Sequence, residues 1–168
     1  MRSDRRLAIR ALLAGAILLA VPGLAHAGAL DVGKPAPPLV APLLDGGQFD
    51  LSAERGKVVV VHFWASWCAP CRAEMAEIDH FARAHPEVRV VAISTDAKRD
   101  TGTVHRLMAG LSFPTAMTAT ARANGFGVPN ALPVTYVITR DGRIGAKIGE
   151  GREVLNEAKL AHAVADRQ

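Results

Sequence analysis

The chain holds two cysteines, Cys68 and Cys71, and both lie in VVVVHFWASWCAPCRAEM, the stretch from Val58 to Met75. Two thiols at this spacing admit three readings: a redox couple, half of a metal site, or coincidence. As a structural staple the pair is poor, because a disulfide between them closes a ring of only four residues and constrains the unfolded chain little. A structural zinc site needs four ligands, commonly from a second CxxC or a paired histidine motif. Here His80 and His85 stand five apart, outside good helical facing, and His62 is nearer the cysteines in sequence. A copper or zinc carrier built on Cys68, Cys71 and His62 is conceivable, but no second motif supports it. Haem attachment requires CxxCH, and residue 72 is Arg.

The context favours redox chemistry. Val58 to Trp64 is an apolar, β-branched run, the pattern of a strand buried on both faces. Helical spacing follows directly, so Cys68 falls at a strand-to-helix turn and Cys71 in the first helical turn. Pro70 suits the N1 position, where no backbone N–H is needed. The unpaired N–H groups and the dipole of a helix N-terminus stabilise an anion, so the Cys68 thiol should ionise below its free value of ~8.5. The i,i+3 spacing brings the second sulfur beneath the first. Cys68 is then the exposed attacker, and Cys71 the buried thiol that resolves a mixed disulfide.

Positioning these thiols requires a scaffold, and the rest of the chain supplies one. Gly28 to Pro42 reads as extended and irregular. Leu43 to Leu51 reads as a hairpin about Asp45-Gly46-Gly47, and Ser52 to Arg55 as one helical turn closed by Gly56. Residues 70–85 form a helix ended by Pro86, with Met75, Ile78, Phe81 and Ala82 inward and Glu74, Glu77 and Arg83 outward. Val88 to Ser94 is a second buried strand. Asp100 to Gly110 is a helix with Val104, Leu107 and Met108 inward, and Ala119 to Gly125 a short helix. Val134 to Ile138 and Ile144 to Ile148 are strands joined by the tight turn Arg140 to Arg143. Glu153 to Ala165 closes the chain as a helix whose Val154, Leu155, Leu160 and Val164 face the sheet. Strands alternating with helices and ending in a hairpin give a three-layer α/β arrangement with a mixed central sheet.

The first 27 residues stand apart. Arg2, Arg5, Arg6 and Arg10 precede the apolar run Ala11 to Val21, and Ala25-His26-Ala27 completes a small-x-small cleavage pattern. Eleven apolar residues fall short of the ~20 a membrane span needs, which favours a cleaved signal over a retained N-terminal anchor. Removing this leader leaves 16 Lys and Arg against 15 Asp and Glu, so the formal charge of +4 resides mostly in the leader. No nucleic-acid footprint remains. The sequence therefore divides into a leader, 1–27, and a single domain, 28–168.

F-W-A-S-W-C-A-P-C after an apolar strand resembles the thioredoxin superfamily. The approach Gly33-Lys34-Pro35-Ala36-Pro37-Pro38 and the strand end Ala92-Ile93-Ser94-Thr95-Asp96 are similar to its TlpA/ResA-like branch of periplasmic thiol–disulfide oxidoreductases. The resemblance implies a thioredoxin fold with an N-terminal β-hairpin extension and a cis-proline opposite the CxxC. Leu132-Pro133-Val134 matches that pattern, so Trp67, Pro70, Leu132 and Pro133 would contact substrate. Pro129 matches less well, and on a purely structural reading Trp64 and Trp67 are large core residues. His62 occupies the place of a buried Asp in thioredoxins, often Asn in the nearer relatives, and is a candidate proton shuttle or a neutral core histidine. Asp96 and Glu74 are further proton-transfer candidates or simply solvated carboxylates. The kinking proline common in the family's active-site helix is replaced by Ala76.

The activity so implied is reduction of disulfides in exported proteins, with no cofactor and no metal, by a monomer that a membrane thiol donor recharges. The substrates would belong to cytochrome c maturation or to copper-centre assembly of respiratory oxidase. A peroxidase is less favoured, because peroxidatic cysteines follow Thr or Ser by three residues and Cys68 follows Ala65.

Overall fold

The computed structural model describes residues 30–150 and 154–167; the leader expected at 1–27 lies outside them. The strands are β1 (Leu39–Pro42), β2 (Gln48–Asp50), β3 (Val59–Trp64), β4 (Arg89–Ser94), β5 (Thr115–Met117), β6 (Ala123–Asn124), β7 (Val134–Ile138) and β8 (Ile144–Gly149). The helices are α1 (Ala69–Ala84), α2 (Thr101–Met108) and α3 (Glu157–Ala165). No helix among the described residues is long and apolar enough to cross a membrane.

The central sheet runs β5-β4-β3-β7-β8, with β3, β4 and β5 parallel and β7 and β8 antiparallel to their neighbours. Alternation along β3 sets up two layers. Val60 and Trp64 pack toward α1, α2 and α3, in a core with Cys71, Ile78, Phe81, Val104, Leu160 and Val164. Val59, Val61 and Phe63 pack the other way, with Leu39, Phe49, Phe126 and Tyr136. Because β3, β4 and β5 are laid down in one direction, right-handed crossovers place α1 and α2 on the same face. The opposite face is covered by a small antiparallel sheet, β2-β1-β6. The three layers are thus helices, sheet and sheet, with the N-terminal hairpin supplying the third.

Four local expectations are corrected. The first hairpin strand is Leu39–Pro42, inside the segment read as irregular. Ala119 to Gly125 is not helical: one tight turn at Thr118–Thr120 leads into β6, which pairs Ala123 with Val40 and Asn124 with Leu39. The free edge of β1 offers a ladder there, and Gly125 lets the backbone close onto Pro37 and Pro38, donating its N–H to the Pro38 carbonyl at 2.8 Å. Leu107 is 40% exposed, because the buried stripe of α2 is Val104 and Met108, one i,i+4 pair. Val154 is 68% exposed: α3 starts only at Glu157, capped by Asn156 accepting the Lys159 N–H at 2.9 Å, so Val154 and Leu155 lie on a pre-helical stretch and diverge. Residues 151–153, included in the expected helix, lie outside those described. β5 went unread in the sequence.

Candidate active site

The C-terminal end of β3 delivers the chain into the turn Ala65-Ser66-Trp67 and then to Cys68, the N-cap of α1. Cys68 is extended (φ −84°, ψ 100°), and its Sγ accepts the Cys71 N–H at 3.3 Å. The sulfur therefore fills the place a Ser or Asp oxygen takes at other helix starts, where an anion is stabilised by the open N–H groups. Pro70 is the second helical residue rather than the first, still among the positions whose N–H has no intrahelical partner. Cys68 and Cys71 are joined as a disulfide, with their Cα atoms 5.3 Å apart.

Exposure sorts the two sulfurs less sharply than the spacing suggested. Cys71 is fully buried, and Cys68 shows only 5% of its surface. The residue projecting into solvent is Trp67, 72% exposed, whereas Trp64 is a core residue. Only Cys68 presents an approach to an outside disulfide, flanked by exposed Trp67, Ala69 and Pro70.

The turn is held from the side by β4. Asp96 takes the Ser66 N–H at 2.8 Å, the Ser66 hydroxyl at 2.6 Å and the Ser94 hydroxyl at 2.6 Å. Thr95 donates its N–H to the Trp64 carbonyl at 2.8 Å. Asp96 is buried and hydrogen-bonded through both oxygens, so it positions the turn before Cys68 rather than standing as a solvated carboxylate. Ser66 and Ser94, its partners, were not singled out from sequence; a Ser in the turn and a Ser-x-Asp at a strand end were the available signals.

β7 runs antiparallel to β3, so its start lies at the disulfide end of the sheet. The Phe63–Val134 pair closes that ladder, and the Leu132–Pro133 peptide just beyond it is cis. Pro133 is buried and lies outside the ladder, where the missing N–H removes no bond. Leu132 packs against the cluster that contains Cys68 and Cys71.

Glu74, expected to face out, is 2% exposed. It lies one turn after Cys71 on the same helical face. Its Oε1 accepts the Leu155 N–H at 2.8 Å, tying α1 to the approach of α3, and its Oε2 is buried without a hydrogen-bond partner. Burial raises its pKa, partly offset by the Leu155 N–H and the Lys159 charge. Helical position outweighed charge because a backbone donor meets the carboxylate inside.

His62 is wholly buried on the helix-facing side of β3, its Nδ1 2.9 Å from the Thr135 hydroxyl and its Nε2 without a partner. Desolvation drives its pKa from 6.5 to about 3, so the ring is neutral at physiological pH. This removes the near-neutral pKa on which the shuttle expectation rested. Among the described residues, no three His, Cys, Asp or Glu side chains are placed to hold one ion.

Comparison with known proteins places this arrangement among others. A family model described as the AhpC/TSA family matches residues 32–147. The thiol-disulfide oxidoreductase ResA of Bacillus thuringiensis (strain Al Hakam) is 31% identical over 121 residues, 71% of this chain and 70% of that protein. ResA of Geobacillus thermodenitrificans (strain NG80-2) is 28% identical over 153 residues, covering 86% and 87% respectively. Among solved structures, a secreted Mycobacterium tuberculosis disulfide oxidoreductase homologous to E. coli DsbE superposes with a TM-score of 0.65 at 27% identity, over 76% of this chain and 94% of that one.

Proposed function

Taking as premise that the chain belongs to the AhpC/TSA family and is a thioredoxin-like thiol–disulfide oxidoreductase, we propose that it works as a reductase of disulfides in exported proteins, in cytochrome c maturation or the assembly of respiratory copper centres. The observation that carries this reading is Cys68 as the sulfur cap of α1, the less deeply buried of the two sulfurs and next to solvent-exposed Trp67, while Cys71 is fully buried. In the dithiol form the Cys68 thiolate attacks one sulfur of the substrate disulfide and releases the other as a thiolate. The substrate stays linked to Cys68 while Trp67, Pro70, Leu132 and Pro133 contact it. Cys71 then loses its proton, attacks Cys68 Sγ and frees the second substrate thiol, leaving the Cys68–Cys71 disulfide. Two electrons pass to the substrate, and a membrane thiol donor returns two.

Of the proton-transfer candidates, Glu74 suits the resolving step best. It is one turn from Cys71, has an unpartnered oxygen, and burial raises its pKa. His62 stays neutral and supports the site by packing and its Thr135 bond, and Asp96 by holding the turn. The apolar leader and the secreted solved relative support an exported, periplasmic location, with membrane attachment if the leader is retained.

The test is redox equilibration of the chain in thiol buffers, read by Trp67 fluorescence and by alkylation. A potential near the thioredoxin value of about −270 mV is expected, and one near the about −120 mV of a strong oxidant would reverse the direction. If no reversible disulfide forms, the oxidoreductase reading falls.

A further inference from the structure

One peptide group links buried Glu74 to a charge on the surface. The Leu155 N–H donates to Glu74 Oε1 at 2.8 Å, inside the helix-facing layer. The carbonyl of the same peptide belongs to Val154 and accepts a hydrogen bond from the Lys159 ammonium at 3.1 Å. Val154 and Lys159 are exposed, whereas Leu155 and Glu74 are buried. The peptide therefore spans the boundary of the core, with a solvated cation at one end and a buried carboxylate at the other. A peptide dipole set between opposite charges is polarised by both, and hydrogen bonds in such a chain strengthen one another where the dielectric is low. Asn156 holds Lys159 in the first turn of α3 by accepting its main-chain N–H at 2.9 Å.

The other charged and titratable groups near Glu74 are engaged elsewhere. Glu77, one turn further along α1, takes the Glu157 N–H at 3.1 Å, and the Glu157 carboxylate lies 4.0 Å from a ring nitrogen of His80. His62 on β3 is neutral, and Cys71 is held in the disulfide. Among the described residues, Lys159 is thus the charge that favours the carboxylate form of Glu74, against the burial that favours the acid. A lysine brought inside would itself have to be desolvated, and the peptide carries its influence inward without that penalty.

We infer that Lys159 is a positioning residue of the resolving step: acting through the Val154–Leu155 peptide, it keeps the Glu74 carboxylate ready to accept the Cys71 proton. This deepens the reductase reading and rests on it. In that step the Cys71 proton passes to Glu74, whose Oε2 has no hydrogen-bond partner. The Cys71 sulfur then bonds to Cys68 as the bond from Cys68 to the substrate sulfur breaks, and the substrate leaves as a thiolate. A Glu74 that already carries a proton cannot take another, so the resolving rate falls toward acid, and Lys159 sets where it falls.

The first experiment titrates Glu74 in the full chain with the disulfide intact, through the carbon-13 signal of its side-chain carboxyl, assigned with Glu74→Gln. Lys159→Met should move the midpoint to higher pH, and Lys159→Arg should return it to the parent value. An unmoved midpoint in Lys159→Met overturns the inference and leaves the oxidoreductase reading standing. Lys159→Gln repeats the test should the methionine variant fail to fold.

The second mixes the reduced chain with the disulfide of thionitrobenzoate. Cys68 attack releases one coloured thiolate, and Cys71 attack on the mixed disulfide releases the other. Lys159→Met should slow the second release about fivefold or more on the acid limb, and stay within about twofold of the parent on the alkaline plateau. The first release should not change. In the Glu74→Gln background the same substitution should have no effect. Equal slowing in both backgrounds, or at every pH, would mean that Lys159 merely holds α3 against α1, and would overturn the inference. A parent whose second release has no acid limb removes the Glu74 assignment together with the role of Lys159. A parent that releases only one equivalent removes the oxidoreductase reading as well.

Discussion

The two faces of β3 are packed from neighbouring residues to different ends. Toward the small sheet, Phe63 meets Phe126 at 5.6 Å and Tyr136 at 6.0 Å between ring centres, in a layer of Val, Leu and aromatic side chains. Toward the helices, the same strand presents His62 and Trp64 beside the cysteines, and α1 adds Glu74. There three buried polar atoms, His62 Nε2, Trp64 Nε1 and Glu74 Oε2, lack hydrogen-bond partners. The two remaining such atoms among the described residues, Arg89 Nε and Asn124 Oδ1, sit at the ends of β4 and β6. Leaving a buried polar atom unpaired costs about 1–3 kcal/mol, so one layer is optimised for packing and the other tolerates destabilising groups beside its chemistry. Substitutions should therefore separate activity from stability according to face.

The largest separation is expected on the helix side. Cys68→Ser should reduce disulfide turnover by about three orders of magnitude or more while the thermal midpoint of the dithiol form changes little. A variant retaining a tenth of parent activity would show that Cys68 is not the attacking sulfur. On the other face, Phe63→Ala removes a fully buried ring from the aromatic layer and should cost about 3–5 kcal/mol by urea denaturation. The Cys68–Cys71 potential of the folded fraction should stay near the parent value. A large shift of that potential would show that the faces are coupled through β3.

What the sequence disclosed follows the same division. The run Val58 to Trp64 and the CxxC were legible because burial on both faces and a helix start are local signatures. The edge strands β5 and β6 were not, since each depends on a ladder partner distant in sequence, such as Asn124 with Leu39, and the hairpin strand at Leu39–Pro42 lay in a Pro-rich stretch that masks its pairing with β2. Glu74 shows a subtler failure. Its spacing from Cys71 and Ile78 placed it on the buried stripe, but its charge argued for solvent. The partner that resolves the conflict is a backbone N–H 81 residues away, at Leu155. His62 was legible as a buried residue, but the choice between a proton shuttle and a neutral core histidine was not, because its protonation depends on the surroundings it acquires on folding. Asp96 and Pro133 stood out from other carboxylates and prolines only through the family pattern.

Glu74→Gln sharpens the comparison within the active layer. The amide can still accept the Leu155 N–H, so helix α1 stays tied, but it takes up no proton. The resolving step should slow by about a hundredfold, measured by the decay of the mixed disulfide on Cys68, with formation of that species nearly unchanged. In the parent, the resolving rate should fall on the acid side as the carboxylate, whose pKa is raised by burial, becomes protonated. The variant should lack this limb. Equal rates for the two proteins across pH would assign the proton to another group.

The smallest effect concerns His62, and it is read in stability rather than rate. The unfolded chain's imidazole protonates near pH 6.5, whereas the folded one stays neutral down to about pH 3. Between those values the unfolded state binds the extra proton, so stability is lost as pH falls through that window. By linkage, the loss between pH 7 and pH 4.5 is about 2–3 kcal/mol. Glu74 acts in the opposite sense, because its raised pKa makes the folded state bind more protons, and it offsets part of the loss in the parent. Urea denaturation of His62→Asn beside the parent isolates the histidine, since Glu74 is common to both. Stability of the variant should decline less over this range. Parallel curves would mean that the buried imidazole takes up its proton in the folded chain, and that the helix-facing layer is open enough to water to admit it.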